Sequence, residues 1–357
     1  MNGDLAAGIL LLLTSTLFLV PMLPAIWELR RKSDALALSV IQQHAGEIRY
    51  FADSFRAYVK TLEPTLRDCA NSGGNASGVM PDGTNYLVLG SGNEALRLPF
   101  RQPDQTCPVL IASATDLSLS GNSTFSKDIY SLGRFVGGDK NQYRALLAEG
   151  EAYLGKGSSV MRWVHAGGEL SIDAGCKLPA RVSSDSRIRV AGGCNFLRLN
   201  APRIEFGPQP VETSDSVSPA SSKIPPSIKA RRVLHNGDFE IRRGAAFCGD
   251  LVVRGRLRIG SGARVYGSVK SQKDTVLESG VRIEGTLISS GKLLIGPGCM
   301  IHGPVIAERE MRIQAGTQCG DSRTPTTVSA LRIEVEEGVL IFGSLWAREH
   351  GELVMSA

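Results

Sequence analysis

The chain has 357 residues, 42% of them apolar and only 6% aromatic, with 40 glycines and a formal net charge of +5. That length allows two domains, the apolar share is enough to build cores, and the glycine excess points to frequent turns. The seven cysteines form an odd, unpatterned set, which argues against a disulfide framework and fits a reducing compartment.

From Leu5 to Leu23 the sequence carries no charge, and about 20 apolar residues are what a helix needs to cross a bilayer. Asp4 precedes this stretch and Arg30, Arg31 and Lys32 follow it, so residues 1–32 read as an uncleaved transmembrane anchor. The excess of Lys and Arg after the span predicts that the rest of the chain is cytoplasmic at the inner membrane, with a periplasmic orientation as the alternative. Residues 33–68 carry Ile41, Ile48, Phe55 and Leu62 at a seven-residue spacing, with His44, Phe51 and Tyr58 three residues behind the first three. This predicts an amphipathic helix, packed on its own protein or on the membrane surface, or paired with a neighbouring copy as a coiled coil. Pro64 ends the helical region, and Asn71 to Gly78 reads as a flexible break within an irregular, strand-containing lead-in over 69–135.

The rest of the chain repeats itself. Ile241, Ile259, Leu277, Ile295 and Ile313 stand at eighteen-residue steps, and Val335 opens a sixth unit after a short insertion. Three residues after each comes glycine: Gly244, Gly262, Gly280, Gly298, Gly316 and Gly338. Further glycines stand eight residues on, at Gly249, Gly267, Gly285 and Gly303. The same template fits Leu154, Ile172 and Val190, so one block is expected over 136–206 and a second over 231–357. Between them, 207–230 is a Pro/Ser-rich linker or insertion. Short period-2 strands separated by glycine turns at fixed length mean one solenoid coil per unit, each hydrogen-bonded to the next about 4.8 Å away. The six apolar openers then form an interior core ladder, and both glycine sets supply positive-φ corners. The fold class is an all-β parallel β-helix of about 18-residue coils, preceded by a transmembrane helix and an amphipathic helix.

The repeated unit G-x-L-x-I-x-x-G-x-x-φ-x-G-x-φ, with Pro/Ser-rich connections, resembles the bactofilins, most closely over Asp238 to Leu345. The anchor with "LPAIWELRRKSDALAL" is similar to that family's membrane-attached subgroup. The resemblance implies a right-handed β-helix, a polymer-forming bacterial cytoskeletal role and no cofactor. The chain departs from the family's single continuous helix by its split into two blocks.

Chemistry is sparse. Eighteen is also three hexapeptides, the coil of left-handed acyltransferases, but His302 is the only candidate acid or base in the clean repeat and no partner acid is evident for it. Cys176, Cys194 and Cys299 share one slot of their coils without completing a zinc set. Gly90 to Pro99 lacks phosphate-loop spacing. No catalytic, metal or cofactor residue is expected.

Charge is more informative: from Lys229 to Lys270 ten basic residues face three acidic ones. The alternation turns Arg254, Arg256 and Arg258 outward, as a surface for anionic lipid; nucleic acid is disfavoured because aromatics do not interleave with these arginines. The chain closes on "GELVM", a copy of the motif that opens a coil, which predicts Leu353 and Met355 on an unpaired edge ready for another molecule. The expected function is a membrane-tethered scaffold that associates with itself, binds lipid through its N-terminal helix and holds unknown protein clients. A monomeric β-solenoid interaction module is the alternative, and a hexapeptide acyltransferase the least favoured.

Overall fold

A computed structural model describes residues 8, 11–17, 19–20, 22–23, 45–90, 105–207 and 232–354. The chain divides into two compact units, Met1–Val40 and Ile41–Ala357. In the first unit the described residues are helical, with Leu11, Leu12 and Leu17 exposed. Among the described residues no helix is long and apolar enough to cross a membrane; much of the predicted span, and the basic cluster after it, lies outside them.

The second unit is a parallel β-solenoid of about 12 turns at roughly 18-residue spacing. Three short strands make the three sides of a coil. In the second block side one starts at Phe239–Ile241 and continues through Leu257–Ile259, Thr275–Leu277 and Leu293–Ile295. Side two starts at Ala246–Cys248 and side three at Arg232–His235, each strand pairing in parallel with its equivalent one coil on. Each opener falls on the inward phase of its strand, so Ile241, Ile259, Leu277, Ile295, Ile313 and Val335 are all buried in one continuous core.

The two glycine sets do different work, except at Gly249, whose φ of 115° is the positive-φ corner expected of both. Gly244, Gly262, Gly280, Gly298, Gly316 and Gly338 all have φ between 66° and 82° and open space where a Cβ would stand, or only loose contact. They are needed for their left-handed backbone. Gly267, Gly285 and Gly303 have no positive φ; a Cβ at Gly285 would lie 2.6 Å from the Gly267 carbonyl carbon. These are needed because corners stacked one coil apart leave no room for a side chain.

The ladder also begins earlier than the glycine template indicates. Thr106–Cys107, Leu110–Ser113 and Leu117–Leu119 already pair with equivalents eighteen residues on, inside the presumed irregular lead-in. The corner slot of these coils is filled by Asn122 (φ 58°) and Lys140 (φ 56°) instead of glycine, which hid them. Asn accepts that conformation through its short polar side chain; Lys140 adopts it at some cost in strain. The presumed flexible break at 71–78 is ordered too: Gly73 caps a helix with φ 68°, and a strand starts at Ala76.

Two helices, α1 (Ala45–Val59) and α2 (Glu63–Ser72), lie along side three of the first block. Ala52, Phe55, Val59, Leu62, Leu66 and Cys69 are buried against Leu110, Ala112, Tyr130, Leu147 and Trp163, which point outward from their strands. Phe55 meets Trp163 edge-on at 5.4 Å, and Arg181 stacks 4.6 Å over Phe51. Of the predicted seam, Phe55 and Leu62 are thus spent on the protein's own coils, not on a neighbouring copy; Ile41 and His44 lie outside the described residues, as does the side chain of Ile48.

The C-terminal edge is the main correction. The last strand, Leu340–Val354, pairs antiparallel with Asn195–Phe206, the last strand of the first block. Leu353 is 2% exposed, and its N–H and C=O bond the backbone of Cys194 and Gly193. It is therefore a sealed position, and Met355 lies outside the described residues. Two coils of one sense that meet tail to tail run in opposite directions, which is why this single contact is antiparallel. The two blocks share one core, and side three continues across the junction through the pairs Asn200↔Ser344 and Leu199↔Leu345.

Candidate association surface

With both C-terminal coils used up against each other, the solenoid's outer ends are the starts of its two blocks. At the first, side three is extended by Asn85–Leu89 and the antiparallel strand Ala76–Val79, with α2 packed behind. At the second lies the coil Arg232–Cys248. Among the described residues, each of its three strands is paired on one side only. Val233, Phe239, Ala245 and Phe247 are only partly buried there, and Leu234 is 50% exposed. A strand edge with unpaired N–H and C=O groups over a half-covered core is a template for further pairing.

The basic segment surrounds this open coil. Arg232 and Lys270 stand on side three, Arg242 and Arg243 at the corner between sides one and two, and Arg264 on side two. Arg254 and Arg256 stand at the corner between sides three and one, and Arg258 on side one. The expected flat arginine face is thus a collar around the rod. Within it Arg258 is neutralised: its guanidinium donates 2.9 Å to Glu278, whose other oxygen accepts from the Ser261 N–H and hydroxyl. Arg254 and Arg256 have no ion-pair partner among the described residues.

Those bonds from Arg258 and Ser261 hold the Glu278 carboxyl at a pKa of about 2, below the usual carboxylate range. A group whose folded pKa is depressed adds stability that is present above its unfolded value and lost as pH falls towards the folded one. Melting temperature is therefore expected to drop more steeply between about pH 5 and pH 2 in the wild type than in Glu278→Gln. Parallel acid titrations of the two proteins would refute this coupling.

The shared cysteine slot has a structural account. Cys176, Cys194 and Cys299 donate their thiols to the carbonyls of Gly155, Asp173 and Glu278 one coil below, and Thr317 does the same to Gly296 at 3.0 Å. Ala263, Val281 and Val339 fill the same slot in other coils, so it takes a small side chain, with or without a donor. All seven cysteines are free, and burial pushes the Cys299 thiol up to about 11 and Cys319 to about 12, so both stay protonated. Among the described residues no cluster of His, Cys, Asp or Glu is placed to hold a metal ion.

His302 does have acids beside it, which the linear sequence conceals. Its Nδ1 lies 3.0 Å from Glu284, one coil away, and its Nε2 4.0 Å from Asp321. Two clefts, of about 620 Å³ and 270 Å³, flank the helices instead, the first lined by Val59, Leu66, Tyr130 and Leu132. Neither is lined by His302. No protein-family profile, curated protein or solved structure matches the chain.

Proposed function

We propose that this protein is a non-enzymatic, membrane-tethered scaffold, bactofilin-like in its right-handed solenoid, that associates with itself end to end. The open coil Arg232–Cys248 carries this reading, because its three half-paired strands and partly covered Phe239 and Phe247 require a cover. The uncharged stretch Leu5–Leu23 supplies the tether and the basic cluster after it puts the solenoid on the cytoplasmic side of the inner membrane. The collar favours anionic lipid nearby.

Two copies joined through this coil make a pair. Pairing brings two basic collars together, so screening must favour it: raising salt from about 0.1 M to 1 M shortens the Debye length from about 10 Å to about 3 Å. Light scattering and electron microscopy of the full chain in detergent are expected to show a rising share of pairs over that range, with Phe239→Asp held as single molecules. Single molecules at every salt concentration would favour the interaction-module reading, and longer filaments would show that the start of the first block, where Thr106–Cys107 and Leu117–Leu119 are also paired on one side among the described residues, associates as well. The tether is checked separately: alkaline carbonate should leave the full chain in the membrane pellet and release a chain lacking residues 1–32.

A further inference from the structure

The junction inside the chain shows how two coils of this protein close on each other. Leu199 opposes Leu345, so side three meets side three. Ile204 of side one opposes Ile341 of side two, and Phe196 of side two opposes Gly351 of side one. A coil turned over about the middle of side three therefore fits its own outline on all three sides. Val233 of the open coil and Leu345 of the junction are the two ends of one in-register ladder. The open coil thus has the outline of a coil that already makes this fit.

The open edge presents the matching backbone groups. The N–H of Phe239 and the C=O of His235 bond Arg256 and Arg254 in the next coil. Backbone groups alternate in direction along a strand, so those of Arg232, Leu234 and Glu240 face the open side. Antiparallel strands alternate between pairs that exchange hydrogen bonds and closer pairs that do not. Where Arg232 and Leu234 of each copy exchange bonds, Val233 is the close pair between them, at a Cα separation of about 4.5 Å.

We infer that two copies meet head to head by repeating the internal junction, side three on side three, with Val233 opposite the partner's Val233 on the two-fold axis. Phe247 then stands opposite the partner's Phe239, so each half-covered ring covers another. The inference rests on the proposed pairing through the open coil and adds its register and its gate. The same rotation lays the corner between sides one and two onto itself. At the internal junction that corner sets Gly192, Gly193 and Gly207 against Glu337, Gly338 and Leu353, with no cation among them. In the outer pair it sets Arg242 and Arg243 against their own copies; both are exposed and have no ion-pair partner among the described residues. The internal junction closes unopposed, whereas the outer one is held apart by four guanidiniums until salt screens them.

The register is tested by Val233→Cys and Leu234→Cys, each in a full chain carrying Cys248→Ser, oxidised with copper phenanthroline in detergent at about 1 M salt. Val233→Cys is expected to give at least about tenfold more covalent pair than Leu234→Cys, because only the close pair has disulfide geometry. Equal or reversed yields would overturn the register. Pairs seen by light scattering with cross-links at neither position would overturn the inference and leave end-to-end pairing standing, whereas single molecules at every salt concentration would overturn both. The gate is tested by Arg242→Gln with Arg243→Gln, which should pair at about 0.1 M salt as fully as the wild type does at about 1 M. Wild-type salt dependence in that variant would overturn the gate. In the parent chain the Leu234 amide should exchange quickly at the lower salt concentration and slowly at the higher. Slow exchange at both would overturn the inference, because the edge would already be covered by the chain's own residues.

Discussion

Gly351→Val is expected to part the two blocks while leaving each block's ladder intact. Gly351 pairs with Phe196 across the junction, and a Cβ there would fall onto the Phe196 ring and within 2.8 Å of the Phe196 carbonyl oxygen. The neighbouring strands are locked in register by Asn200 donating 2.8 Å to Ser344 and by Arg198 stacked 4.0 Å over Trp346, so the clash cannot be relieved by a local shift. Overpacking of this kind costs about 3 kcal/mol. Hydrogen exchange should rise in 195–206 and 340–354 and stay slow from Leu257 to Leu277. A second readout uses the pair Asn200→Cys and Ser344→Cys, which should cross-link within one chain in the parent and fail to do so when combined with Gly351→Val. Unchanged exchange together with efficient cross-linking in the valine variant would mean that the blocks do not meet in this way.

Glu205→Ala is expected to be the most destabilising single charge removal. Glu205 is fully buried beside the junction, and the guanidiniums of Arg187, Arg189 and Arg203 converge on it at 3.6, 3.2 and 2.5 Å. Without it Glu169, 2.8 Å from Arg189 and 3.7 Å from Arg187, is left to balance three half-buried cations, and removal of one partner from a buried ionic cluster costs about 3–5 kcal/mol. Denaturant unfolding of the full chain measures this directly. Replacing the cluster as a unit, Glu205→Leu with Arg203→Met, should recover most of the loss, because no buried charge is left uncompensated. Wild-type stability in Glu205→Ala would show that the cluster is solvated.

The core ladder and its corners were legible because a solenoid writes its period into the chain. Ile259 and Leu277 must be apolar to line one core, and glycine at Gly262 and Gly280 holds φ near 67° without strain. Where another residue carried the same backbone, as at Asn122 and Lys140, the template lost the coil although the strands pair normally. The basic residues were visible as a run, but their spread around three sides was not, since each corner turns the chain to a new face.

The sequence by itself determined the repeat, its length and the inward residues, because each is a local demand that recurs every coil. Only the tertiary structure decided which edges meet. Backbone N–H and C=O groups at a coil's end are alike in every coil, so an open strand such as Leu340–Val354 carries no address in its hydrogen bonds. The address lies in contacts between residues far apart in the chain: Gly351 under Phe196, Ser344 beside Asn200 and Trp346 beneath Arg198. These close the C-terminal edge, while the strands of Arg232–Cys248 stay paired on one side only among the described residues.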